Sequence, residues 1–201
     1  FAYADDSPWP AEADGDGASL HRRAVDVSAG DPDNWRAAPP TPGSLVVESS
    51  VVGRYVFYND SRFDGGDPAA GALDDDAITT DKSPLLPGGT ATFANYTSYS
   101  RGINGIMIDI DGLPGTPTAA DFQFMVGNSS TGTVWTAAPA PLPLTAPRAG
   151  DGDGDSDRVT IVWTDGLIKD QWRQVTVLAT ANTGLTQPDV FDFGNLVGET
   201  G

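Results

Sequence analysis

The sequence predicts an all-β protein: an antiparallel β-sandwich of the jelly-roll or immunoglobulin-like kind, preceded by an N-terminal extended arm. Gly (24 residues) and Pro (16 residues) are spread along the whole 201-residue chain. Between them lie short runs in which apolar and polar residues alternate with the period of two that a half-buried strand shows. No run has the length and period of a long helix. We therefore expect seven to nine short strands.

The predicted strands follow one another along the chain. Segment 44–60, SLVVESSVVGRYVFYND, is rich in the β-branched and aromatic residues that favour strands. Segment 104–112, NGIMIDIDG, alternates three isoleucines with Met107, Asp109 and Asp111, which predicts one apolar face and one face that carries two carboxylates. Further strands are expected in segments 89–100, 121–128, 158–166, 172–181 and 189–195.

Two kinds of connection are also expected. Single helical turns are predicted around 69–73 and 118–121, because an isolated short helix is unstable. Segment 136–147, TAAPAPLPLTAP, is rich in proline, which cannot donate to a sheet from its backbone nitrogen. We therefore expect this segment to be an extended connection or an edge segment.

Charge and composition exclude several classes of partner. Asp and Glu outnumber Lys and Arg by 28 to 11, a formal charge of -17 that repels nucleic acid and anionic membrane surfaces and attracts cations. No apolar stretch approaches the roughly 20 residues of a membrane-spanning helix, so no membrane insertion is expected. The absence of Cys excludes disulfides and thiol chemistry. Because the first residue is Phe1, the chain is expected to be processed or to come from a longer precursor.

The chain is predicted to have two parts, an N-terminal arm over 1–43 and a β-sandwich domain over 44–201. The arm has too little apolar sequence to close a core unaided, so we expect it to dock onto another surface. A strand of the arm inserted into a neighbouring copy would satisfy an exposed sheet edge and join subunits head to tail into filaments. The residues expected to make these assembly contacts are Trp9, Leu20 and Trp35.

Two resemblances add to this interpretation. The run WPAEADGDGASLHRR followed by DPDNWRAAPPTPGS resembles the C-terminal half of a bacterial lamin-tail-type domain, which is an immunoglobulin-like sandwich. Residues 51–201, with GRYVFYNDSRFDG, TFANYTSYSRGINGIMIDI and DVFDFGNLVGETG, resemble a module of large surface proteins of planctomycete-type bacteria, usually found upstream of dockerin-like repeats. This second resemblance implies a non-catalytic β-sandwich in an extracellular or cell-surface protein.

An acidic ladder lies just before one predicted strand, in RAGDGDGDSDRV, and consists of Asp151, Asp153, Asp155 and Asp157. Carboxylates at alternate positions with glycines between them suit Ca²⁺, which takes about 6 to 8 oxygen ligands. The EF-hand template, however, requires Gly and Glu where this chain has Ser156 and Val162. The ladder is therefore either a calcium loop of another kind or a solvated acidic hairpin loop.

A second group of acidic residues follows the first predicted strand, in YNDSRFDG and ALDDDAITTDK. Adjacent carboxylates repel one another unless a cation or arginines lie among them. The group therefore predicts either a structural Ca²⁺ or an exposed charged loop. The candidate ligands are Asn59, Asp60, Asp64, Asp74, Asp75, Asp76 and Asp81.

Aromatic residues allow a third kind of site. A carbohydrate-binding module presents several rings on an open sheet face, and this chain offers several candidates, although most of them also fit the core: Tyr55, Phe57, Tyr58, Tyr96, Tyr99, Trp135, Trp163 and Trp172. A polar-aromatic binding rim is predicted from Tyr96, Tyr99, Arg101, Asn104 and Trp135.

The sequence predicts no enzyme. Asp109 and Asp111 have the spacing of a glycosidase pair, but the polar face of an antiparallel strand gives the same pattern. The single histidine, His21, lies in the arm. The predicted function is a structural or assembly module, stabilised by calcium and joined through the arm. The alternative is a carbohydrate-binding module for extracellular polysaccharide.

Overall fold

The computed structural model describes residues 7–13, 17–24, 27–39, 48–129 and 134–198. The chain divides into two units, an N-terminal unit, Phe1–Glu48, and a C-terminal unit, Ser49–Gly201. Residues 44–47 of the first predicted strand lie outside the described residues.

The N-terminal unit contains a two-stranded antiparallel hairpin. Strand β1 is Ser19–Arg22 and strand β2 is Trp35–Ala38, and Leu20 lies opposite Ala37. Short 3-10 turns cover Ala11–Ala13 and Pro32–Asn34. The Asn34 side chain both accepts from the nitrogen and donates to the oxygen of Ala24, each at 2.9 Å, so one amide ties the ends of the long connection together.

The buried positions that the structure describes in this unit are occupied by polar residues. Among its described residues only His21 and Asn34 are buried. The rings of Trp9 and Trp35 contact each other with their centroids 6.5 Å apart. A two-stranded hairpin is at best marginally stable in water on its own.

The C-terminal unit has eight strands and only 3-10 helices among its described residues. A three-stranded sheet has the order β3-β5-β8, and a five-stranded sheet has the order β4-β10-β9-β6-β7, in which only the β4–β10 pair is parallel. The strands are β3 Ser50–Phe57, β4 Tyr96–Thr97, β5 Gly105–Asp111, β6 Phe122–Gly127, β7 Thr136–Ala137, β8 Asp157–Val162, β9 Gln171–Val177 and β10 Asp189–Asn195. The all-β prediction is confirmed.

The main core lies between these two sheets. Alternate residues of each strand point inward, as the period of a strand requires. Ile106, Ile108 and Ile110 of β5 belong to the same buried cluster as Val175 of β9 and Phe193 of β10. The C-terminal unit is thus a β-sandwich, and on the outer face of its larger sheet residues such as Trp172 and Gln174 keep part of their surface exposed.

The outer face of the three-stranded sheet is covered. A second buried cluster contains Phe57, Met107 and Val162 together with Ala77, which belongs to the 3-10 helix Ala72–Ala77. Strand β5 is therefore buried on both faces up to Asp111, which is exposed. The expectation that β5 has an exposed polar face is wrong at Asp109, because Gly152 and Asp153 of the loop before β8 pack against its carboxylate and leave it fully buried.

The strand prediction fails for segment 89–100, whereas the edge prediction for the proline-rich segment 136–147 is correct. The strand predicted over 89–100 is wrong for most of its length, since a 3-10 turn occupies Phe93–Asn95 and only Tyr96–Thr97 forms a strand. The Asn95 side chain accepts from Thr92 N at 2.7 Å, and such side-chain bonds compete with sheet pairing. The proline-rich segment does lie at an edge, because β7 is the last strand of the larger sheet.

The six 3-10 helices of the described ranges have between three and six residues. None of the helices within those ranges is long and apolar enough to cross a membrane.

Candidate functional site

A row of alternating aromatic and glycine residues crosses the outer face of the five-stranded sheet. The pairing register puts Gly194 of β10 opposite both Tyr96 of β4 and Trp172 of β9. Trp172 in turn lies opposite Gly127 of β6. Trp135 directly precedes β7, whose first residue pairs with the neighbour of Gly127. We call Tyr96, Gly194, Trp172, Gly127 and Trp135 the aromatic row.

The two glycines allow the rings of the aromatic row to lie against the sheet. A Cβ placed on Gly127 would lie 2.7 Å from the Trp135 ring, and one placed on Gly194 would lie 2.8 Å from Tyr96 and 3.2 Å from the Trp172 ring. Any larger residue at either position would push a ring away from the sheet. All three aromatic side chains keep part of their surface exposed.

The spacing of the row follows from sheet geometry. Neighbouring strands are about 4.8 Å apart, so successive aromatic residues, two strands apart, are separated by about 10 Å. The whole row spans about 19 Å across the sheet by the same spacing. Such a surface suits an extended ligand that runs across the strands.

Shallow depressions and polar groups flank the row. One depression of about 370 Å³ lies between Tyr96 and Trp172, and one of about 260 Å³ lies between Trp172 and Trp135. These volumes lie at or below the lower end of the roughly 300 to 1,000 Å³ typical of enclosed small-molecule pockets. Polar side chains line both depressions, namely those of Asn128, Asp170, Gln171, Ser129, Asn195 and Asp192.

Asp192 is an acidic group beside the aromatic row. It lines the depression between the two tryptophans, and its Oδ1 has no hydrogen-bond partner within the described part of the chain. Burial raises the pKa of Asp192 to about 6, although the Gln174 side chain partly opposes the shift. Asp192 is thus a partly buried carboxyl group beside the two tryptophans, and its unpartnered Oδ1 is not exposed to solvent.

The binding rim expected from the sequence is divided between two places. Tyr96 and Trp135 belong to the aromatic row, while Tyr99, Arg101 and Asn104 lie in a polar cluster at the end of β3. There the Tyr99 ring stacks on Tyr58 with centroids 4.4 Å apart. Asn104 is fully buried, and the Arg101 guanidinium forms ion pairs with Asp60 and with Asp165. These three residues therefore support a loop and do not extend the aromatic row.

The other aromatic candidates have structural roles. Phe57 and Trp163 are buried in the two cores. Tyr55 lies under the Arg158 guanidinium, at 5.5 Å from its ring centroid. The expectation that most aromatic residues belong to the core therefore holds for these residues but not for the three of the aromatic row.

Two of the four carboxylates of the acidic ladder contact an arginine and a tyrosine, whereas Asp155 is exposed and Asp157 accepts from a backbone nitrogen. Asp151 is 3.2 Å from Arg148, and the Tyr55 hydroxyl donates to Asp153. Burial and the Asp153 carboxylate together raise the pKa of Tyr55. Within the described ranges, no group of three or more His, Cys, Asp or Glu residues is arranged to hold a metal ion. Calcium at the ladder stays a prediction.

The second acidic group separates into paired and buried residues. The paired carboxylates contact basic side chains, namely Asp60 with Arg101, Asp75 with Arg148 and Arg158, and Asp81 with Lys82. Asp76 is exposed, whereas Asn59, Asp64 and Asp74 are buried. Burial raises the pKa of Asp74 to about 6, and the charge of Asp64 adds to this shift.

Both carboxylate oxygens of Asp109 already accept hydrogen bonds within the protein. Its two oxygens accept from Nε and Nη2 of Arg158 at 2.8 and 2.7 Å, and Oδ2 also accepts from Asp153 N at 2.9 Å. The carboxylate and these hydrogen bonds raise the pKa of Arg158. The glycosidase pair is therefore not assembled by Asp109 and Asp111, since one is buried in an ion pair and the other is exposed.

Sequence reasoning missed the two glycines of the aromatic row. Glycine inside a strand marks a place where another group approaches the backbone closely, and that signal is present in FMVG and DFGN. The missing information was the register, which alone shows that these glycines and the three aromatic residues share one row.

Comparisons with known proteins identify no relatives. No family model matches the chain, and neither a curated protein nor a solved structure matches it. The resemblances to a lamin-tail-type domain and to a planctomycete-type module therefore stay predictions.

Proposed function

We propose that the C-terminal unit is a carbohydrate-binding module that holds an extended polysaccharide on its five-stranded sheet. The aromatic row is the observation that supports this proposal most directly. Aromatic rings on an open sheet face offer apolar surface to the faces of sugar rings, and the polar groups beside them accept and donate hydrogen bonds to hydroxyl groups. Asn128 is exposed and lines both depressions beside Trp172, so its side chain is in position to do this.

The charge of the chain narrows the class of polysaccharide. A formal charge of -17 repels a polyanionic glycan. The row carries no basic side chain, so it offers no counter-charge to carboxylate or sulfate groups. The preferred ligand is a neutral polysaccharide that runs across the strands. With this ligand we propose the extracellular or cell-surface location and the non-catalytic role that the second resemblance implies.

Removal of the central ring is expected to abolish most of the binding. Truncation of a tryptophan at the centre of a binding surface costs about 2 kcal/mol or more, which corresponds to an affinity loss of about 30-fold. Trp172→Ala and Trp135→Ala should each show this loss in affinity gel electrophoresis with xylan, hydroxyethyl-cellulose and galactomannan, with alginate as the polyanionic comparison.

A matched control shows whether the loss of binding is specific to the rings of the aromatic row or follows from the removal of any exposed aromatic side chain. Phe63 is 58% exposed and lies outside the aromatic row, so Phe63→Ala should retain wild-type mobility in the same gels. Gly127→Val should also weaken binding, because its side chain displaces the Trp135 ring. If the wild-type protein is not retarded by any neutral polysaccharide, the proposal is wrong.

Assembly through the N-terminal unit is a second proposal. Among the described residues, β1 and β2 pair only with each other, so each strand has an open edge that a strand of another copy can extend. Contacts of Trp9, Leu20 and Trp35 would then stabilise the junction. We expect the light-scattering mass of the full chain to rise with concentration and the mass of residues 49–201 to stay monomeric. A full chain that remains monomeric at high concentration contradicts this proposal.

A further inference from the structure

Four aspartates of the C-terminal unit are buried, and two of them have obvious compensation. Asp109 is paired with Arg158. Asp121 accepts hydrogen bonds on both oxygens from Thr118, Thr180 and Asn182. Buried carboxylates are normally paired in this way, saturated with hydrogen bonds or bound to a metal.

Asp64 and Asp74 are less fully compensated by the residues that the structure describes. Asp64 is 0% exposed; its Oδ1 accepts from Ser61 N and Gly66 N, but its Oδ2 has no partner within the ranges that the structure describes. Asp74 is 1% exposed, and its Oδ2 accepts from Gly71 N at 2.9 Å. No described Lys or Arg forms an ion pair with either residue.

Asn59 contributes a second buried, unpartnered oxygen in the same loop. It is 2% exposed, and its Nδ2 donates to Pro68 O at 3.2 Å, which closes the segment around Asp64. Its Oδ1 has no partner among the described residues. Asn104 holds the Asn59 backbone on both sides, through Asn59 N at 3.2 Å and Asn59 O at 2.7 Å, so this side chain is firmly positioned.

We propose that the loop 59–74 binds one Ca²⁺ ion through Asn59 Oδ1 and the carboxylates of Asp64 and Asp74. Carboxylate and amide oxygens are the ligands that Ca²⁺ prefers, and backbone carbonyls and water complete its shell of about 6 to 8 oxygens. The two carboxylates balance the +2 charge of the ion, and the neutral amide adds one more oxygen ligand. The ion gives Asp64 and Asp74 the positive counter-charge that Arg158 gives to Asp109.

This site is distinct from the acidic ladder and independent of the aromatic row. The ladder carboxylates Asp151 and Asp153 already contact Arg148 and Tyr55. The loop 59–74 leads into the 3-10 helix Ala72–Ala77, which covers the outer face of the smaller sheet. Bound calcium would therefore hold that cover in place and stabilise the folded state without any sugar ligand.

The test uses the full chain, freed of metal with chelator and dialysed. Isothermal titration with CaCl₂ should show one site. Calcium at 100 times its dissociation constant should raise the melting midpoint by about 5 to 10 °C, because it binds the folded state only. Asp64→Asn should weaken binding at least about tenfold, and the control Asp151→Asn in the ladder should bind like the wild type.

A second measurement keeps the test decisive if Asp64→Asn fails to fold. Terbium bound in this loop should emit when Tyr58, the residue before Asn59, is excited, and CaCl₂ should quench that emission by competition. Asp74→Asn should reduce it. A wild-type chain that shows neither binding heat nor terbium emission overturns the proposal. Binding that Asp151→Asn abolishes and that Asp64→Asn and Asp74→Asn retain also overturns it, since the ion then lies at the ladder.

Discussion

Asp109→Ala is expected to lower the free energy of unfolding by about 3 to 5 kcal/mol, the usual effect of removing one partner from a buried ion pair. Arg158 is 6% exposed, and two of its nitrogens donate to Asp109. Without that carboxylate the guanidinium stays buried with only Asp75, 3.1 Å away, as a counter-charge. Urea unfolding monitored by tryptophan fluorescence measures the loss.

Asp111→Ala is the matched control for this prediction. Asp111 ends the same strand but is exposed, so its truncation should change the free energy of unfolding by less than about 0.5 kcal/mol. Replacing the pair together, with Asp109→Leu and Arg158→Met, should recover most of the stability that Asp109→Ala loses. An Asp109→Ala variant as stable as Asp111→Ala would contradict the assigned role of the ion pair.

Much of the fold could be predicted because alternation is a local property of the sequence. DFQFMVGN, RVTIVWTDG and DVFDFGN all contain strands close to the predicted bounds. GTATFANYTSYS alternates equally well, yet the Asn95 side chain turns the backbone before a strand can form. Alternation therefore predicts which segments can be strands, and side-chain bonds to the backbone decide which of them are.

The site was less predictable because it depends on contacts between distant segments. The sequence predicts Tyr96 and Trp135 as ligand contacts from their aromatic side chains alone. Strand β9, which carries Trp172 and lies between them in the sheet, comes later in the chain than both. The sequence predicts an open face for Asp109 because it does not show that the loop before β8 packs against this carboxylate. The register of β4, β10, β9 and β6 is a tertiary property, and the aromatic row exists only through it.

Strand β9 gives the clearest case of a pattern with two interpretations. WRQVTV places Trp172 and Gln174 on one face and Arg173 and Val175 on the other. Hydrophobicity alone favours burial of the tryptophan and exposure of the arginine. The structure has the reverse orientation, because Val175 and Val177 are buried in the core and carry Arg173 inward with them. The same orientation puts Trp172 on the open face, where the aromatic row needs it.

Arg173 is consequently an unpaired cation in the core. It is 0% exposed, and its three guanidinium nitrogens have no hydrogen-bond partner among the described residues. Burial lowers the pKa of Arg173 well below its usual range. Its compensation comes from aromatic rings, since the guanidinium carbon lies 3.2 Å from the Trp163 centroid and 5.0 Å from that of Phe124. Such contacts recover about 2 kcal/mol when they are desolvated.

Arg173→Met is therefore expected to raise the free energy of unfolding by about 2 to 3 kcal/mol, because the cost of burying an ion is several kcal/mol and exceeds what the rings return. Methionine has a similar length and packs well against aromatic rings. Arg62→Met, at an exposed position, removes the same charge and should change stability by less than about 0.5 kcal/mol. Urea unfolding of both variants measures the difference. If Arg173→Met lowers the free energy of unfolding and Arg62→Met does not, the prediction is wrong. The Arg173 guanidinium then has a hydrogen-bond acceptor in the folded protein, and that bond explains why β9 keeps an inward arginine.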